Sequence, residues 1–185
     1  AAAGSHVDVM VTIDGEKHRR SYSIVETHDG GRELAISVFR TAASRGGSIF
    51  MHTLAPGDEL EITQPLQNFP LRVGAPHYVL LAGGVGITAI LNMARVLKNV
   101  KADYRLVYAG RNRSAMAYLA ELQAEHGAAL EIHVDAEGSG LSVTELVEGL
   151  QDGTELYMCG PIRLMDAVRR SWRDHGLDPA NLRYE

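Results

Sequence analysis

The chain has 185 residues, 45% of them apolar and 22% charged, ordinary proportions for a globular protein with room for one domain or two small ones. A formal charge of −5, with the basic residues scattered, argues against a nucleic-acid surface, and no apolar segment is long enough for a membrane span or reads as a secretory signal. The single cysteine, Cys159, excludes an internal disulfide framework and a cysteine-ligated cluster within these residues, and the expected compartment is the cytoplasm.

The first third reads as β structure. Residues 6–11 alternate apolar and polar, Asp14-Gly15 signals a tight turn, and residues 20–24 can pair back as a hairpin. His28-Asp29-Gly30-Gly31 marks another turn, after which Leu34, Ile36 and Val38 alternate with polar or small residues. Arg45-Gly46-Gly47-Ser48 precedes a short helical pattern over 49–54, with Ser48 as the expected N-cap. Pro56-Gly57-Asp58 is a turn, and Leu60, Ile62 and Leu66 predict one more strand. Short strands at this spacing predict a partial antiparallel barrel or sandwich over residues 1–74.

Around Val73-Gly74-Ala75-Pro76 the pattern changes to alternating strands and helices. Strands are expected over 78–82, 104–108, 130–134 and 156–158, with helices from Ile87, Ser114, Ser142 and Pro161. That order predicts βαβ units on a doubly wound parallel sheet over residues 75–185, with a ligand crevice at the carboxyl ends of its strands.

Four sets of residues sit where a ligand could use them. Gly83-Gly84-Val85-Gly86 joins a buried strand to a helix, and Gly84, Gly86 and Ala89 fit the spacing of the dinucleotide fingerprint. Such a turn presents free N–H groups and a positive helix end to a phosphate, and a Cβ there would hold the backbone away. No acid ends the next strand to hold a ribose, and a tight turn without a ligand stays open as an alternative. Cys159-Gly160-Pro161 puts a thiol at a strand's carboxyl end beside a helix start, where an inert buried cysteine is the alternative. Arg20 and Tyr22 share one strand face, with Ser21 and Ser23 on the other, which suits an anion and a flat ring or else a solvated strand with an aromatic core residue. Arg45-Gly46-Gly47-Ser48 offers a second anion site or an ordinary capped loop. His18, His52, His133 and His175 form no metal-ligand spacing, and no metal site is expected.

Taken together and in this order, RxYS, RGGS, GGVGIT and CGP resemble the ferredoxin–NADP⁺ reductase superfamily, and within it the reductases of the phthalate dioxygenase reductase and vanillate O-demethylase reductase type. The resemblance runs from Gly4 to Glu185. It implies a flavin-dependent NAD(P)H oxidoreductase, the electron-transfer component of a Rieske-type aromatic oxygenase system, passing hydride from NADH to FMN and then single electrons to a 2Fe-2S centre. By the same resemblance Arg20 binds the flavin phosphate, Tyr22 packs on the isoalloxazine and Ser23 reaches its N5 edge. Ser21 is among the flavin-binding residues, the segment Ile36-Ser37-Val38 runs beside the ring, and Arg45, Gly46, Gly47 and Ser48 complete the phosphate site. Two arginines on one phosphate suit the FMN dianion better than FAD. Gly83, Gly84 and Gly86 would hold the pyrophosphate of NADH, with Thr88 near the nicotinamide ribose and Cys159, Gly160 and Pro161 beside the nicotinamide. Arg111 and Arg113 fall where the adenosine ribose is read and leave NADPH possible.

The resemblance also implies further barrel strands upstream and a 2Fe-2S domain downstream of these residues, so the chain reads as part of a longer protein. Ala89 stands where relatives usually carry proline. The expected partner is an oxygenase component or its ferredoxin, with no nucleic acid and no membrane. A stand-alone flavin or ferric reductase and a non-catalytic nucleotide-binding module are the alternatives.

Overall fold

In the structure, a computed structural model that describes residues 1–41 and 43–185, the chain divides after Pro70 into two units, Ala1–Pro70 and Leu71–Glu185. The first is an antiparallel sheet in the order β3-β2-β1-β4, made of β1 (Ser5–Ile13), β2 (Glu16–His28), β3 (Glu33–Ile36) and β4 (Leu66–Gln67). Asp14 and Gly15 close the β1–β2 hairpin with φ of 52° and 83°, the left-handed pair that a two-residue turn between right-twisted strands requires. The register sets Val7 opposite Tyr22, Val9 opposite Arg20 and Asp8 opposite Ser21. Val7, Val9 and Val11 therefore project from one face, where Ile24 joins them and Ile13, Tyr22, Ile36 and Phe50 pack around. On the other face Asp8 is buried and accepts a 2.5 Å bond from Ser21 Oγ.

Three sequence expectations are corrected in this unit. The strand around Leu60, Ile62 and Leu66 shrinks to the two residues of β4 and a single bridge, Val9 to Ile62. Pro65 has no N–H for a ladder there, and the Thr63 hydroxyl takes the Asp8 amide at 3.0 Å in place of a backbone carbonyl. The strand after the Gly30-Gly31 turn stops at Ile36, before Ser37 and Val38. Helix α1 spans Gly47–Met51, and its N-cap is Gly46, not Ser48. Ser44 does the side-chain work, its Oγ accepting from the Gly46 amide at 3.1 Å and from Ser48 Oγ at 2.8 Å.

The second unit carries five parallel strands in the order β7-β6-β5-β8-β9, namely β5 (His77–Gly83), β6 (Tyr104–Gly110), β7 (Leu130–Val134), β8 (Thr154–Cys159) and β9 (Leu182–Tyr184). The crossover helices are α2 (Ile87–Asn99), α3 (Leu119–His126), α4 (Val143–Glu148) and α5 (Ile162–Asp174). β5 is buried along its length, as a strand covered on both faces must be. Val79, Leu81, Val107, Leu156 and Met158 pack with Leu146 of α4 and with Val168 and Trp172 of α5, while α2 lies against β5, β6 and β8. The Tyr78 hydroxyl gathers the unit's first residues, accepting from the amides of Gly74 and Ala75 at 2.7 and 2.8 Å and donating to the Arg72 carbonyl at 3.1 Å.

The helix expected from Ser114 begins at Leu119. Asn112 caps one separate 3-10 turn over Arg113–Ala115, and Tyr118 then turns through a φ of 63°. β9 is too short to show a period and was not foreseen.

Helix α3 ends on His126, whose side chain is fully buried and whose Nδ1 lies 2.7 Å from the Tyr104 hydroxyl. Burial pushes this imidazole below its ordinary value, against an opposing pull from the Glu125 carboxylate. The folded state holds the ring neutral, so the unfolded chain takes up the proton first as pH falls. The neutral ring's stabilisation is present above the unfolded value of about 6.5 and is lost as pH drops toward the lower folded value. Urea unfolding between pH 7.5 and 5 should therefore show wild type losing more stability than His126→Gln. Parallel losses would remove His126 as the cause.

Candidate functional site

The order of the parallel sheet reverses between β5 and β8, and the crevice of an open α/β sheet lies at the carboxyl ends of such a pair. Here those ends are Gly83 and Cys159, which lead into Gly84–Gly86 with α2 and into Gly160, Pro161 and α5. The two turns touch backbone to backbone. A Cβ on Gly86 would lie 2.1 Å from the Cys159 carbonyl oxygen, and one on Gly160 would lie 2.9 Å from Gly83 Cα. A Cβ on Gly83 would meet Pro161 Cδ at 2.7 Å and Leu164 Cδ2 at 2.8 Å. Gly84 differs: its φ is +54° and a Cβ there would meet nothing within 4 Å. The glycines foreseen as facing a ligand thus divide into packing glycines and one that is open.

Neither α2 nor α5 has a side-chain cap on its N-terminus, and neither has an acid in its first turn, among the described residues. The Ile87 amide is taken by the Gly84 and Val85 carbonyls, and two helix starts with positive dipole ends and no side-chain cap meet at the switch point. Thr88, on the first turn of α2, is buried and donates its hydroxyl to the Val85 carbonyl at 3.0 Å, which leaves its lone pairs as acceptors. Val85 and Ile162 form an exposed apolar rim at the same edge. Burial pushes the Cys159 thiol up to about 11, with the Glu185 carboxylate adding to the rise. The position holds a protonated thiol.

Arg111 and Arg113 follow β6. The Arg111 carbonyl accepts from the Ala136 amide at 2.9 Å, joining the turn after β6 to the turn after β7. Arg113 is engaged by Glu137 through two bonds, Nε to Oε1 at 2.7 Å and Nη2 to Oε2 at 2.9 Å. Glu137 escaped the sequence reading because its relation to Arg113 exists only through the pairing of β6 with β7, Gly110 opposite Val134.

In the first unit Arg20 and Tyr22 share a face of β2, as the alternation requires. A Cβ on Gly46 would fall 2.6 Å from Ile13 Cγ2, and one on Gly47 would fall 3.0 Å from Arg20 Nε and 3.2 Å from its Cγ. The Arg20 side chain therefore lies along Gly47, and its Nη1 donates to the Arg19 carbonyl at 2.8 Å. Burial raises the Tyr22 phenol while the Arg20 charge lowers it. Arg45 is exposed immediately ahead of these glycines. The Ser21 hydroxyl is committed to Asp8 on the opposite face, the face to which alternation also assigns Ser23. Val38 is held through its carbonyl by His52 Nε2 at 2.9 Å, and Ser37 precedes it outside β3. A guanidinium, a flat phenol and a close-packed glycine turn together suit an anionic group joined to a ring system.

The family model described as dimethylamine monooxygenase subunit DmmA-like, N-terminal domain, matches residues 64–182. The carnitine monooxygenase reductase subunit of Acinetobacter baumannii is 34% identical over 168 residues, 90% of this chain and 52% of that protein. A solved structure of phthalate dioxygenase reductase, described as a modular structure for electron transfer from pyridine nucleotides to 2Fe-2S, superposes with a TM-score of 0.84 at 32% identity, covering 100% of this chain and 57% of that one. An intact type IV self-sufficient cytochrome P450 monooxygenase superposes with a TM-score of 0.91 at 34% identity, over 100% of this chain and 24% of that one. The chain spans about half the length of the curated relatives it matches.

The two classes of glycine separate on substitution. Gly86→Ala drives a Cβ into a carbonyl and should cost about 3 kcal/mol or more of stability, read as a lowered urea midpoint. Gly84→Ala has open space and a left-handed φ only, so its cost should be about 1 kcal/mol, with the loss appearing in nucleotide affinity. Equal destabilisation by both would sink the distinction.

For Cys159 the expected outcome is slow alkylation by iodoacetamide in the native chain, with a rate that keeps climbing above pH 9. A plateau near pH 9 would mean that the thiol is not shifted.

Proposed function

Since the chain belongs to the family of dimethylamine monooxygenase subunit DmmA-like N-terminal domains, within the ferredoxin–NADP⁺ reductase superfamily, we propose that it is the flavin- and pyridine-nucleotide-binding part of a reductase that feeds electrons to an oxygenase. One observation carries this reading: two uncapped helix N-termini meet at the topological switch point, held there by glycines packed backbone to backbone. That arrangement suits the pyrophosphate of a dinucleotide.

The residues present fit both cofactors. In the second unit Gly84 gives the pyrophosphate close access to the backbone, and the positive end of α2 faces it. Gly83, Gly86 and Gly160 keep that turn against Cys159 and Pro161. Thr88 accepts from the nicotinamide ribose, and the protonated Cys159 thiol packs beside the nicotinamide with no covalent part in the reaction. Arg111 borders the adenosine end.

In the first unit Arg20, prealigned along Gly47, and Arg45 converge on one phosphate. Gly46, Gly47 and Ser48 shape the turn around it. Tyr22 covers one face of the isoalloxazine, and Ser21, Ser23, Ser37 and Val38 border the ring with backbone groups. A lone phosphate dianion matched by two arginines favours FMN over FAD. Bound flavin supplies the exchange between electrons received in pairs and electrons given singly, which a nicotinamide cannot perform. NADH is the proposed reductant. The electron acceptor is a 2Fe-2S centre leading to an oxygenase, and the oxygenase substrate binds to that partner.

Reconstitution of the chain with FMN, followed by anaerobic addition of NADH, should give a flavin spectrum that bleaches. Bound flavin left oxidised by NADH would overturn the reading. Arg20→Ala and Arg45→Ala should each weaken FMN by about 1.5–3 kcal/mol and leave riboflavin, which lacks the phosphate, unaffected. Unchanged FMN affinity in both variants would remove the phosphate assignment.

A further inference from the structure

In open α/β sheets a dinucleotide's adenosine ribose is read at the carboxyl end of the second strand, by an acid there for a free 2′-hydroxyl or by an arginine for a 2′-phosphate. The second strand of this unit, β6, ends Gly110-Arg111-Asn112-Arg113, with two arginines and no acid. The acid comes from the neighbouring strand. Glu137, in the turn after β7, faces Arg113 fork to fork, at 2.7 Å for Nε–Oε1 and 2.9 Å for Nη2–Oε2. Both turns are fixed. Ala136 N donates to the Arg111 carbonyl at 2.9 Å, and Asn112 Oδ1 accepts from Ala115 N at 3.0 Å and from Ser114 Oγ at 2.8 Å. Asp135 stands exposed in the same turn as Glu137.

We propose that Glu137 is the residue that selects between pyridine nucleotides: it takes up the Arg113 fork, accepts from the adenosine 2′-hydroxyl of NADH, and turns the position against the 2′-phosphate of NADPH. This rests on the reading of the β5–β8 crevice as a pyridine-nucleotide site. A carboxylate has about four lone-pair positions, so Glu137 can hold Arg113 twice and still accept from a ribose hydroxyl. A 2′-phosphate would have to displace Glu137 from the guanidinium and then lie beside the carboxylates of Glu137 and Asp135. Arg113 and Glu137 are each nearly half exposed, at 48% and 44% of their side-chain surface. Such a pair adds little to stability, so removing one member tests selection without unfolding the unit.

The test is calorimetric titration of the full chain with ADP-ribose and with 2′-phospho-ADP-ribose, which share the pyrophosphate and differ only at the 2′ position. Wild type should prefer ADP-ribose by about tenfold or more, the effect of roughly one charge–charge interaction at contact distance. Glu137→Ala should strengthen 2′-phospho-ADP-ribose by about tenfold and weaken ADP-ribose, as the freed arginine and the lost acid require. Adding Arg113→Ala to that variant should cancel the gain. A ratio of affinities left within about twofold of wild type by Glu137→Ala would overturn the assignment of Glu137 while leaving the crevice reading intact. Survival of the gain in the double variant would do the same. If wild type bound neither ligand, the crevice reading itself would fail and this inference with it.

Discussion

The second unit depends on one contact, the approach of the β5–α2 turn to the β8–α5 turn with no side chain between them. Adjacent parallel strands bring their following turns together, and ordinary side chains would hold those turns apart. Here a methyl group on Gly86 would sit 2.1 Å from the Cys159 carbonyl oxygen, so the two backbones close on each other only as glycine. The consequence is electrostatic. Each helix start carries about half a positive charge, and the contact sets two of them side by side. Like partial charges repel, and among the described residues no capping side chain or acid relieves them. An anion seated there would relieve the repulsion, so the packing that shapes the fold also favours a negatively charged ligand.

The first unit uses glycine to a related end with a side chain as the partner. Gly46 needs both its φ of +92° and its missing Cβ, because Ile13 occupies the space that a Cβ would take. Gly47 lets the stem of Arg20 lie flat against the turn. A free arginine loses up to about 2 kcal/mol of rotamer entropy when it is fixed. Packing along Gly47 meets part of that cost before any ligand arrives, which is how preorganisation turns a surface cation into a binding group.

How much of this was legible in the sequence follows from which signals are local. The strands and helices of the second unit stood out because residues 78–82 form a continuous apolar run, α2 keeps a helical period, and glycines or Pro161 punctuate the junctions. The glycines of both turns were legible too, because they break the apolar run and the helical period. Their division of labour was not. Sequence shows that glycine stands at 84 and 86, but not that one faces open space and the other faces Cys159, a residue brought near only by the β5–β8 pairing. Glu137 was invisible for the same reason, being 24 residues from Arg113. In the first unit the expected strand shrank to β4 because Pro65 has no N–H to give and the Thr63 hydroxyl takes the Asp8 amide, and α1 is capped by Gly46 while the Ser48 hydroxyl turns to Ser44. The short β9 offered no period at all.

That unforeseen strand bears on the crevice through Cys159. A cysteine beside a helix N-terminus is ordinarily acidified, since the dipole favours the thiolate. Here the opposite holds, and the magnitudes say why. The dipole contributes typically 0.3–1 kcal/mol. The rise of the thiol from its ordinary 9.0 to about 11 corresponds to about 3 kcal/mol disfavouring the thiolate, so burial outweighs the helix end. β9 adds to burial's effect. It pairs Tyr184 with Met158, and the next amide, Glu185, donates to the Met158 carbonyl at 3.2 Å, which brings the Glu185 carboxylate near the sulfur. A thiolate at this point would repel an anion drawn to the two helix starts. A neutral thiol leaves their field intact and fills the edge of the crevice with a compact, polarisable group. The edge strand thus helps to hold Cys159 in the one protonation state compatible with an anion beside it.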